Sequence, residues 1–580
     1  MKKRFIIFVA SFFSIFFSAH AQIPDWQWAK NMGGSYSDGG MDVTTDAHGR
    51  VYTVGYFRDT VDFDPGPGIF TMNSDTSNGA IFLSAFDSAG NFIWAKQWNN
   101  GLYDNSFSVN VDPSGNIYMT GYYTGLVDFD PGPATYTLPY IFDLKYYIVK
   151  LDSAGNFIWV KTFGGCDNTP LCFSQIDKDG NIYCTGVFSQ TRDLDPGSGV
   201  QNLTAVCRDI FILKLDSSGS FLWVKHIAGS INNWPNAIAI DDATNIYITG
   251  NFSGTTDFDP GAGVDTLSAG TSVTLEDIFI AKYDPSGNYL WAKQIGGPFL
   301  DRGESIAVDN AGNVITTGNY GSNGPGIDFD PGAGVYLLTD TGFNSFISKL
   351  DSGGNFVFAK AICGSSFTES KALALDAGGN IFYTGYYIDS TDFDPGPASY
   401  YLSAGANSGA LFVSELDPAG NFIWAESKGG TYHLGAMQNS GTSLFCDATG
   451  NIYFTGRFED STIAFGADTL LSNNSFSPLY TDAFIAKIGK LNTHAEEIPA
   501  SSHGIFIYPN PSSGIFTLRS TESINAFKIY NVLFEKILEM KNNNSFFITI
   551  DLQSQPNGIY FYEIINEKGH ISSGRLVKNK

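Results

Sequence analysis

Short apolar and aromatic stretches alternate with turn sequences rich in Asp, Gly, Asn and Pro along most of this chain. A representative stretch reads DIFIAKYDPSGNYLWAK, in which the apolar segments 278–284 and 288–293 flank one such turn. In this kind of turn Asp accepts backbone N–H groups, Pro fits the second position and Gly takes the left-handed position. The pattern predicts β-hairpins, and the stretch lacks the 3.6-residue period of an amphipathic helix.

The hairpins recur in seven units of 64–71 residues that run from about Trp26 to Ile488. One landmark of the unit is a glycine after an aromatic strand: Gly55, Gly121, Gly186, Gly250, Gly318, Gly385 and Gly456. A second landmark is Trp-x-Lys, which begins at Trp28, Trp94, Trp159, Trp223 and Trp291 and becomes Phe358-x-Lys360 and Trp424-x-Glu426 in the last two copies. A fixed period with short strands predicts a solenoid, an array or a propeller.

Two hairpins per unit give four antiparallel strands, so we expect an all-β fold with a seven-bladed β-propeller of four-stranded blades. The alternative is an open solenoid of hairpins. Residues 25–30 are a lone copy of the last strand of a unit, and residues 482–487 copy the strand that normally pairs with it. Pairing these two segments would close the ring and remove two exposed sheet edges, which favours the propeller.

The sequence DPSGNIYMTG at positions 112–121 resembles the SBBP repeats of bacterial β-propeller proteins, and the resemblance extends over the whole repeat region. It implies the propeller fold. It implies little about activity, because one fold hosts many functions.

The first residues predict a secretory signal peptide over positions 1–21. Lys2, Lys3 and Arg4 form a basic start, residues 5–17 are apolar, and an Ala-x-Ala sequence ends at Ala21. This arrangement predicts cleavage between Ala21 and Gln22. Since no other apolar stretch is long enough for a membrane helix, we expect no transmembrane segment in the mature chain.

The repeats predict a propeller domain over 22–490, and the polar segment 491–502 is interpreted as a linker. The remaining residues, 503–580, predict a second, smaller domain. Its apolar stretches predict seven short strands and therefore a β-sandwich. The predicted strands lie near 504–508, 514–518, 526–530, 536–540, 546–551, 558–564 and 574–578.

The amino-acid sequence of this last domain resembles the type A C-terminal sorting domain of the type IX secretion system. The matching positions are Tyr508, Pro509, Asn510, Pro511, Gly514, Asn557, Gly558 and Tyr560. The resemblance implies export from a Gram-negative bacterium, with the type IX machinery as partner. It also implies a protein that is secreted or attached to the outer-membrane surface. Phe534 departs from the family pattern, which usually has Gly at this turn.

The chain is acidic, with a net charge of −25. Acidic and basic residues are equal in number from Leu491 onward, so the repeat region carries the negative charge. Such a surface argues against nucleic acids and anionic membranes as partners. It suits divalent cations or basic partners, or it simply keeps the protein soluble.

Six units contain the sequence Asp-x-Asp-Pro-Gly, whose paired carboxylates are Asp62 and Asp64, Asp128 and Asp130, Asp193 and Asp195, Asp257 and Asp259, Asp328 and Asp330, and Asp392 and Asp394. Oxygen ligands at alternate positions in a tight loop could bind calcium, which makes calcium the one candidate cofactor. The alternative is a structural turn in which Asp caps backbone N–H groups. A full calcium loop normally has more carboxylates than this, which favours the turn.

The six cysteines lack the spacing of a zinc site. In an exported protein a disulfide is an option, and Cys166 and Cys172 are the candidate pair because they share one predicted loop. Cys184 and Cys446 fall in predicted strands, where buried thiols are expected.

Catalytic motifs are poorly represented. The histidines of the repeat region, His48, His226 and His433, fall in different units and form no recognisable triad or metal motif. We therefore favour a non-enzymatic secreted or cell-surface propeller that binds a protein or a glycan. The alternatives are a hydrolase or lyase acting on extracellular polysaccharide, and a structural surface-layer component. A pocket with paired carboxylates of perturbed pKa would favour the enzyme, and features unique to one or two blades would favour binding.

Overall fold

The computed structural model describes residues 24–74, 79–99, 105–138, 141–166, 170–270, 275–322, 324, 326–429, 439–473, 480–489, 505–508, 514–531, 535–566 and 571–578. All regular elements of these residues are β-strands, with no helix among them, which confirms the predicted all-β class. The chain divides into two compact units between Leu491 and Asn492. The predicted cleavage site at Ala21 and Gln22 lies outside the described residues.

The first unit contains 36 strands within the described residues. They are β1 (Trp26–Met32), β2 (Gly39–Thr45), β3 (Val51–Phe57), β4 (Thr60–Asp62), β5 (Thr71–Asn73), β6 (Ala80–Phe86), β7 (Phe92–Asn99), β8 (Asn105–Val111), β9 (Ile117–Gly125), β10 (Ile141–Leu151), β11 (Phe157–Phe163), β12 (Cys172–Ile176), β13 (Ile182–Asp193), β14 (Asn202–Leu215), β15 (Phe221–Gly229), β16 (Asn233–Ile240), β17 (Ile246–Phe252) and β18 (Thr255–Asp257). They continue with β19 (Thr266–Ser268), β20 (Asp277–Tyr283), β21 (Tyr289–Ile295), β22 (Arg302–Val308), β23 (Val314–Ser322), β24 (Ile327–Asp328), β25 (Leu337–Leu338), β26 (Gly342–Leu350), β27 (Phe356–Gly364), β28 (Phe367–Leu375), β29 (Ile381–Asp392), β30 (Tyr401–Leu416), β31 (Phe422–Gly429), β32 (Ser440–Cys446), β33 (Ile452–Phe458), β34 (Thr462–Phe465), β35 (Asp468–Leu471) and β36 (Asp482–Ile488).

The main strands of this unit form seven groups of four antiparallel strands within the described residues, which we call sheets 1 to 7. In chain order, sheets 1 to 7 are β2-β3-β6-β7, β8-β9-β10-β11, β12-β13-β14-β15, β16-β17-β20-β21, β22-β23-β26-β27, β28-β29-β30-β31 and β32-β33-β36-β1. Sheet 3 is extended by the pairing of β15 with β18, and the pairing of β27 with β29 joins sheets 5 and 6 into one hydrogen-bonded sheet. The first strands of successive sheets contact one another, from β2 through β8, β12, β16, β22 and β28 to β32, and β32 also contacts β2. Buried apolar side chains fill the space between neighbouring sheets.

The hairpin turns are held by the aspartates that the sequence pattern marks. At Asp112 the Oδ1 atom accepts the N–H groups of Ser114 and Asn116, both at 2.9 Å, and Oδ2 accepts the amide of Asn116. Gly115 has a φ of +83°, which glycine adopts without strain. Burial alone would raise the pKa of Asp112, but hydrogen bonds from Asn116 and Tyr118 and the charge of Lys150 lower it. The Asp and Asn positions of the repeat are therefore explained by turn formation.

The seventh sheet joins the two ends of the repeat region. Strand β1 pairs antiparallel with β36, and Trp28 lies opposite Lys487 and Met32 opposite Ala483. This confirms the predicted pairing of residues 25–30 with residues 482–487. The hairpin of β34 and β35 also holds β1, since Asp468 accepts the N–H of Ala29 at 2.8 Å.

The Trp-x-Lys sequence of one sheet packs against a turn glycine of the next. A Cβ atom added to Gly287 would lie 2.9 Å from Trp223 and 2.8 Å from Lys225, so only glycine fits this turn beside those side chains. The same contact recurs at Gly90 with Trp28, Gly155 with Trp94, Gly219 with Trp159, Gly354 with Trp291 and Gly420 with Phe358. The two landmarks repeat together because they are the two halves of one contact between sheets.

The departure from Trp-x-Lys at Glu426 has a structural reason. In sheet 7 no hairpin turn joins the third and fourth strands, because β36 and β1 come from opposite ends of the repeat region. The glycine turn that would cover residue 426 is therefore replaced by the start of β1. There Trp26 donates its indole N–H to Glu426 at 2.7 Å. The carboxylate at this position marks the junction of the two ends.

The second unit has its own apolar core and five strands within the described residues. They are β37 (Ile505–Tyr508), β38 (Ile515–Tyr530), β39 (Lys536–Asp551), β40 (Gly558–Asn566) and β41 (Ile571–Lys578). The prediction of seven short strands was wrong. The predicted β-sandwich has two sheets, whereas the five described strands are hydrogen-bonded in one sheet in the order β37-β38-β40-β41, with β39 also paired to β38. Two pairs of predicted strands are continuous in β38 and β39, because their middle sections shift register between Arg519 and Ala526 instead of turning back.

Several carboxyl groups at strand ends are buried. Asp277 begins β20 beside Gln294, and burial raises its pKa to about 6. Asp301 precedes β22 and accepts the N–H groups of Gly297 and Gly321, yet burial raises its pKa to about 7. Each group therefore binds a proton more tightly in the folded protein than in the unfolded chain.

We expect the melting temperature to rise as the pH is lowered from about 8 to about 5. A pKa raised on folding gives stabilisation that is complete below the ordinary value of 3.8 and is lost as the pH rises through about 6 to 7. Turn aspartates such as Asp112 have lowered pKa values, so their contribution is lost only below about pH 4. Thermal unfolding followed by circular dichroism across this pH range is the measurement.

The variant Asp277→Asn gives this experiment a matched control. Asn344, the third residue of β26, has the position equivalent to Asp277, which shows that the fold accepts an amide there. The variant should weaken the pH dependence while the protein still folds. A melting temperature that increases towards pH 8 in the unmodified protein would contradict the account.

Candidate functional site

The Asp-x-Asp-Pro-Gly loops use their carboxylates to hold the backbone. In each loop the first Asp accepts the N–H of the second Asp at 3.0–3.2 Å and the N–H of the residue eight positions later at 2.7–2.9 Å. The second Asp accepts the N–H of the glycine at 2.7–2.9 Å. The first aspartates are Asp62, Asp128, Asp193, Asp257, Asp328 and Asp392, and the second are Asp64, Asp130, Asp195, Asp259, Asp330 and Asp394. This geometry matches the turn interpretation.

Among the described residues, no group of three or more His, Cys, Asp or Glu side chains is arranged to hold a metal ion. The loop carboxylates are already acceptors for backbone N–H groups, whereas calcium takes six to eight oxygen ligands. Calcium binding at these loops stays a sequence-based expectation, and the loop geometry gives it no further support.

The predicted pair of Cys166 and Cys172 is not joined by a disulfide. Cys172 has a free thiol in the structure, as do Cys184, Cys207 and Cys363. Cys172 is buried in β12 opposite Gly186, whereas Cys166 lies in the preceding loop near the hydroxyl of Tyr146. Both side chains are buried, and cysteine packs in a protein core as a small apolar residue.

A β-bulge recurs in the first strand of six of the seven sheets that the structure describes. At each bulge the register shifts by one residue and places an extra side chain on the strand. Bulges re-aim side chains and are common next to functional sites. The bulged residues are Met41, Phe107, Asn236, Glu304, Lys371 and Thr442. The backbone feature repeats, but the side chain differs every time.

Three consecutive bulges line one cavity of about 310 Å³, which we name the bulge pocket. It is formed by sheets 4, 5 and 6, at the ends where their first strands begin. Its walls are Trp234, Asn236, Asn251, Glu276, Arg302, Glu304 and Lys371. Such a volume is at the lower end of the range of small-ligand pockets, about 300–1,000 Å³.

One side of the bulge pocket is a hydrogen-bonded chain that links sheets 4 and 5. Asn236 donates to Asn251 and to the carbonyl of Gly303, both at 2.9 Å. Asn251 in turn donates to Glu276 at 2.9 Å. The same oxygen of Glu276 accepts Nε of Arg302 at 2.9 Å. A buried polar chain of this kind fixes the position of the Arg302 guanidinium.

The other side of the bulge pocket links sheets 5 and 6 through Lys371. Its ammonium group contacts Glu369 and lies 3.6 Å from Glu304. Asn319 orients Glu369 by donating to it at 3.2 Å. Burial lowers the pKa of Lys371, but the charges of Glu304 and Glu369 outweigh burial and raise it. Lys371 therefore stays a cation and cannot act as a base near neutral pH.

The aromatic wall of the pocket is held by another cation. The guanidinium carbon of Arg208 lies 3.9 Å from the ring centroid of Trp234, a cation–π contact. The pocket thus combines one aromatic ring, two amides and opposed charges. These groups can bind a polar ligand through hydrogen bonds, ion pairs and an apolar surface.

A second cavity, of about 240 Å³, lies at the other ends of the first strands, in sheets 1 to 3. Its carboxylates are the turn aspartates Asp46, Asp112 and Asp177, and all three accept hydrogen bonds within their own turns. Their role is already explained by the turns.

The residues of the bulge pocket do not recur between repeats, so the repeat pattern does not predict the pocket. The sequence signal for it is the variation of one position between the repeats. Five residues before the Asp that opens the next turn, the seven units have seven different residue types: Met41, Phe107, Cys172, Asn236, Glu304, Lys371 and Thr442. Variation at a fixed offset in an otherwise regular repeat marks a position whose residue type is not required for the fold of the repeat.

The second unit matches a known family. Residues 506–579 match the family model described as "Secretion system C-terminal sorting domain". This segment is a type IX secretion sorting domain. Its presence shows that the protein is secreted or attached to the cell surface. Within the described residues the chain forms no helix with the length and hydropathy to cross a bilayer.

The residues that suggested the sorting domain are partly described. The backbone of Tyr508 ends β37, and Pro509, Asn510 and Pro511 lie outside the described residues. Gly514 has a φ of +122° and precedes β38, where a Cβ atom would lie 2.9 Å from the backbone of Gln553. Asn557 precedes Gly558 at the start of β40, and Tyr560 is buried in the core of the sorting domain.

The chain is also similar to another known protein and to solved structures. The chain is 25% identical over 433 residues to a protein named "Uncharacterized WD repeat-containing protein L264" from Acanthamoeba polyphaga mimivirus. The alignment covers 62% of this chain and 31% of that relative.

Two solved structures from B. thetaiotaomicron also match over 96% of this chain and all of theirs. They are extracellular domains of proteins named as hybrid two-component systems, BT3049 and BT4673. Their identities are 12% and 10%, with TM-scores of 0.17 and 0.15. Scores this low carry no argument about the fold or the function of this chain.

Proposed function

We propose that the first unit is a seven-bladed β-propeller that binds a ligand outside the cell without chemical conversion. The propeller is supported by seven successive four-stranded sheets whose first strands contact one another in order, with β32 against β2. The pairing of β1 with β36 supports a closed ring over an open solenoid. A relative named for WD repeats agrees, because WD repeats are propeller units.

The proposed organisation of the chain is a signal peptide at 1–21, the propeller at 22–490, a linker at 491–502 and the sorting domain at 503–580. In this proposal the leader directs export across the inner membrane. The sorting domain then engages the type IX machinery, which delivers the propeller to the cell surface or the medium. The match of residues 506–579 to the sorting family supports this route.

The observation that carries the binding proposal is the asymmetry of the bulge pocket. Seven similar sheets would make a uniform surface if the protein were only a scaffold. Instead, Asn236, Glu304 and Lys371 stand at equivalent bulges of three neighbouring sheets and line one cavity. Different side chains at equivalent positions provide the asymmetry that recognition of one ligand needs.

The charges of the pocket favour binding over hydrolysis. A glycosidase needs two carboxyl groups that face the substrate, one of them with a raised pKa. In the bulge pocket Glu276 is bonded to Arg302, and Glu304 lies beside Lys371. The carboxyl groups with raised pKa values, such as Asp277 and Asp301, are not among the residues that line the pocket.

The double variant Glu304→Gln, Lys371→Gln should weaken ligand capture at least about tenfold, or about 1.4 kcal/mol. It removes both charges and retains side chains of similar shape, so the fold should persist. The measurement is a screen of extracellular glycans and surface extracts with the exported protein, followed by affinity measurements on the captured ligand.

Lys178→Gln supplies the matched control, because Lys178 lines the cavity at the other ends of the first strands. This control should bind like the unmodified protein. Equal capture by the double variant and the unmodified protein would overturn the pocket as the binding site.

A further inference from the structure

The bulge pocket places its cations outermost. The Arg302 side chain is 42% exposed, against 8% for Glu276, to which it is bonded. The Lys371 side chain is 32% exposed, against 16% for Glu304 and 11% for Glu369. A ligand that enters the pocket therefore meets positive groups first, with the carboxylates behind them.

We infer that the ligand of the bulge pocket carries a carboxylate and is a uronic acid residue of an acidic polysaccharide. The inference rests on the proposed binding function and names the ligand class for that site. Arg302 and Lys371 provide the recognition of the carboxylate, and Trp234 provides an apolar face for the sugar ring.

The guanidinium group of Arg302 offers a fork of N–H donors to a ligand. Its Nε donates to Glu276, and within the described residues the terminal nitrogens of this partly exposed guanidinium have no hydrogen-bond partner. A guanidinium fork matches the two oxygens of a carboxylate, and the two parallel hydrogen bonds are stronger than neutral ones. The chain through Asn251 and Asn236 limits the movement of Arg302 before the ligand binds.

Exposed cations at the mouth of the bulge pocket contrast with the acidic character of the chain. With a net charge of −25, the protein repels anions over most of its surface. Charges farther than about 8 Å are largely screened at physiological ionic strength, so the potential at the pocket mouth depends on the two cations and on their partners Glu276, Glu304 and Glu369. Because the cations are the more exposed members of these ion pairs, an anionic group can approach them at the mouth of the pocket.

The remaining walls favour a sugar over an acidic peptide. Trp234 is half-buried, and its ring is held in place by Arg208 at 3.9 Å. A fixed aromatic ring suits the flat C–H face of a pyranose. A cavity of about 310 Å³ encloses a small, compact group more readily than an extended chain with several side chains.

The test compares three probes by isothermal titration calorimetry on the full exported protein. The first is an oligogalacturonate, the second is the same oligosaccharide with its carboxylates methyl-esterified, and the third is a short acidic peptide. We expect the oligogalacturonate to bind and the ester to bind at least tenfold more weakly. The acidic peptide should show no saturable binding.

Variants then assign the effect to the pocket. Arg302→Gln and Lys371→Gln should each weaken oligogalacturonate binding at least tenfold, and Arg302→Lys should restore only part of the loss. Lys178→Gln should leave binding unchanged. The melting temperature of each variant separates a loss of binding from a loss of folding.

The outcomes distinguish this inference from the function on which it rests. If the ester binds as tightly as the acid, the carboxylate inference is overturned, whereas binding in the pocket stands if the double variant Glu304→Gln, Lys371→Gln still weakens capture. Binding of the peptide but not of the sugar also overturns it, as does binding of neither. If the captured ligand of the earlier screen is indifferent to all pocket variants, the proposed function fails as well.

Discussion

Removal of residues 503–580 should abolish delivery of the protein to the cell surface and the medium and leave it in the periplasm. The segment contains the sorting family match at 506–579. Among the described residues the sorting domain has an apolar core of its own. We therefore expect the truncated protein to fold with a nearly unchanged melting temperature and to fail only in export.

Cell fractionation with immunodetection checks this result. The control is a deletion of six residues within 491–502, the proposed linker, which removes none of the strands β1 to β41 and should be exported normally. Surface delivery of the truncated protein at the normal level would show that export does not depend on the sorting domain.

Deletion of residues 25–30 should destabilise the first unit by more than about 5 kcal/mol, a large part of the stability of a typical domain. Trp28 and Ala29 are buried in two different apolar clusters, so the strand contributes to the core on both sides. Loss of a large buried aromatic side chain alone costs about 3–5 kcal/mol. The deletion would also expose the edge of β36, which invites association with other chains.

Thermal unfolding and light scattering measure this effect. Removal of six residues within 491–502 is again the matched control and should be nearly silent. A point variant isolates the junction: Glu426→Lys restores the residue of most other repeats, yet it should cost about 1–2 kcal/mol because Trp26 loses its acceptor. Equal stability of the two deletions would reopen the solenoid alternative.

The strands and turns of the first unit could be predicted because the same turn-forming residues recur in every repeat. Asp, Asn and Gly recur where a hairpin turn needs a carboxylate, an amide and a left-handed residue, and Asp112 and Gly115 show why. The pairing of β1 with β36 could be predicted because each segment lacks the partner that all other copies have.

The bulge pocket could not be predicted in this way. A bulge depends on how one strand pairs with its neighbour, and no residue type in the repeat specifies it. Its side chains are informative because they differ between repeats, so Glu304 and Lys371 look like ordinary surface residues in the sequence. The pairing of these residues across sheets 5 and 6 depends on the ring geometry that we propose.

The sequence predicted seven strands in the sorting domain, where the structure has five within the described residues, because strand pairing again cannot be read from residue types. Polar residues between Arg519 and Ala526 look like a turn in the sequence, but the structure accommodates them by shifts of register within β38. A polar run in a strand and a polar turn have similar composition. Only the pairing with β39 and β40 distinguishes them.

Hydrogen–deuterium exchange of the exported protein with and without its captured ligand tests the central claim most directly. The account predicts slower exchange in β22 and β28, the strands that contribute Arg302, Glu304 and Lys371 to the bulge pocket. Exchange in the Asp-x-Asp-Pro-Gly loops should be unchanged. Protection confined to those loops, with none in β22 or β28, would contradict the assignment of ligand binding to the bulge pocket.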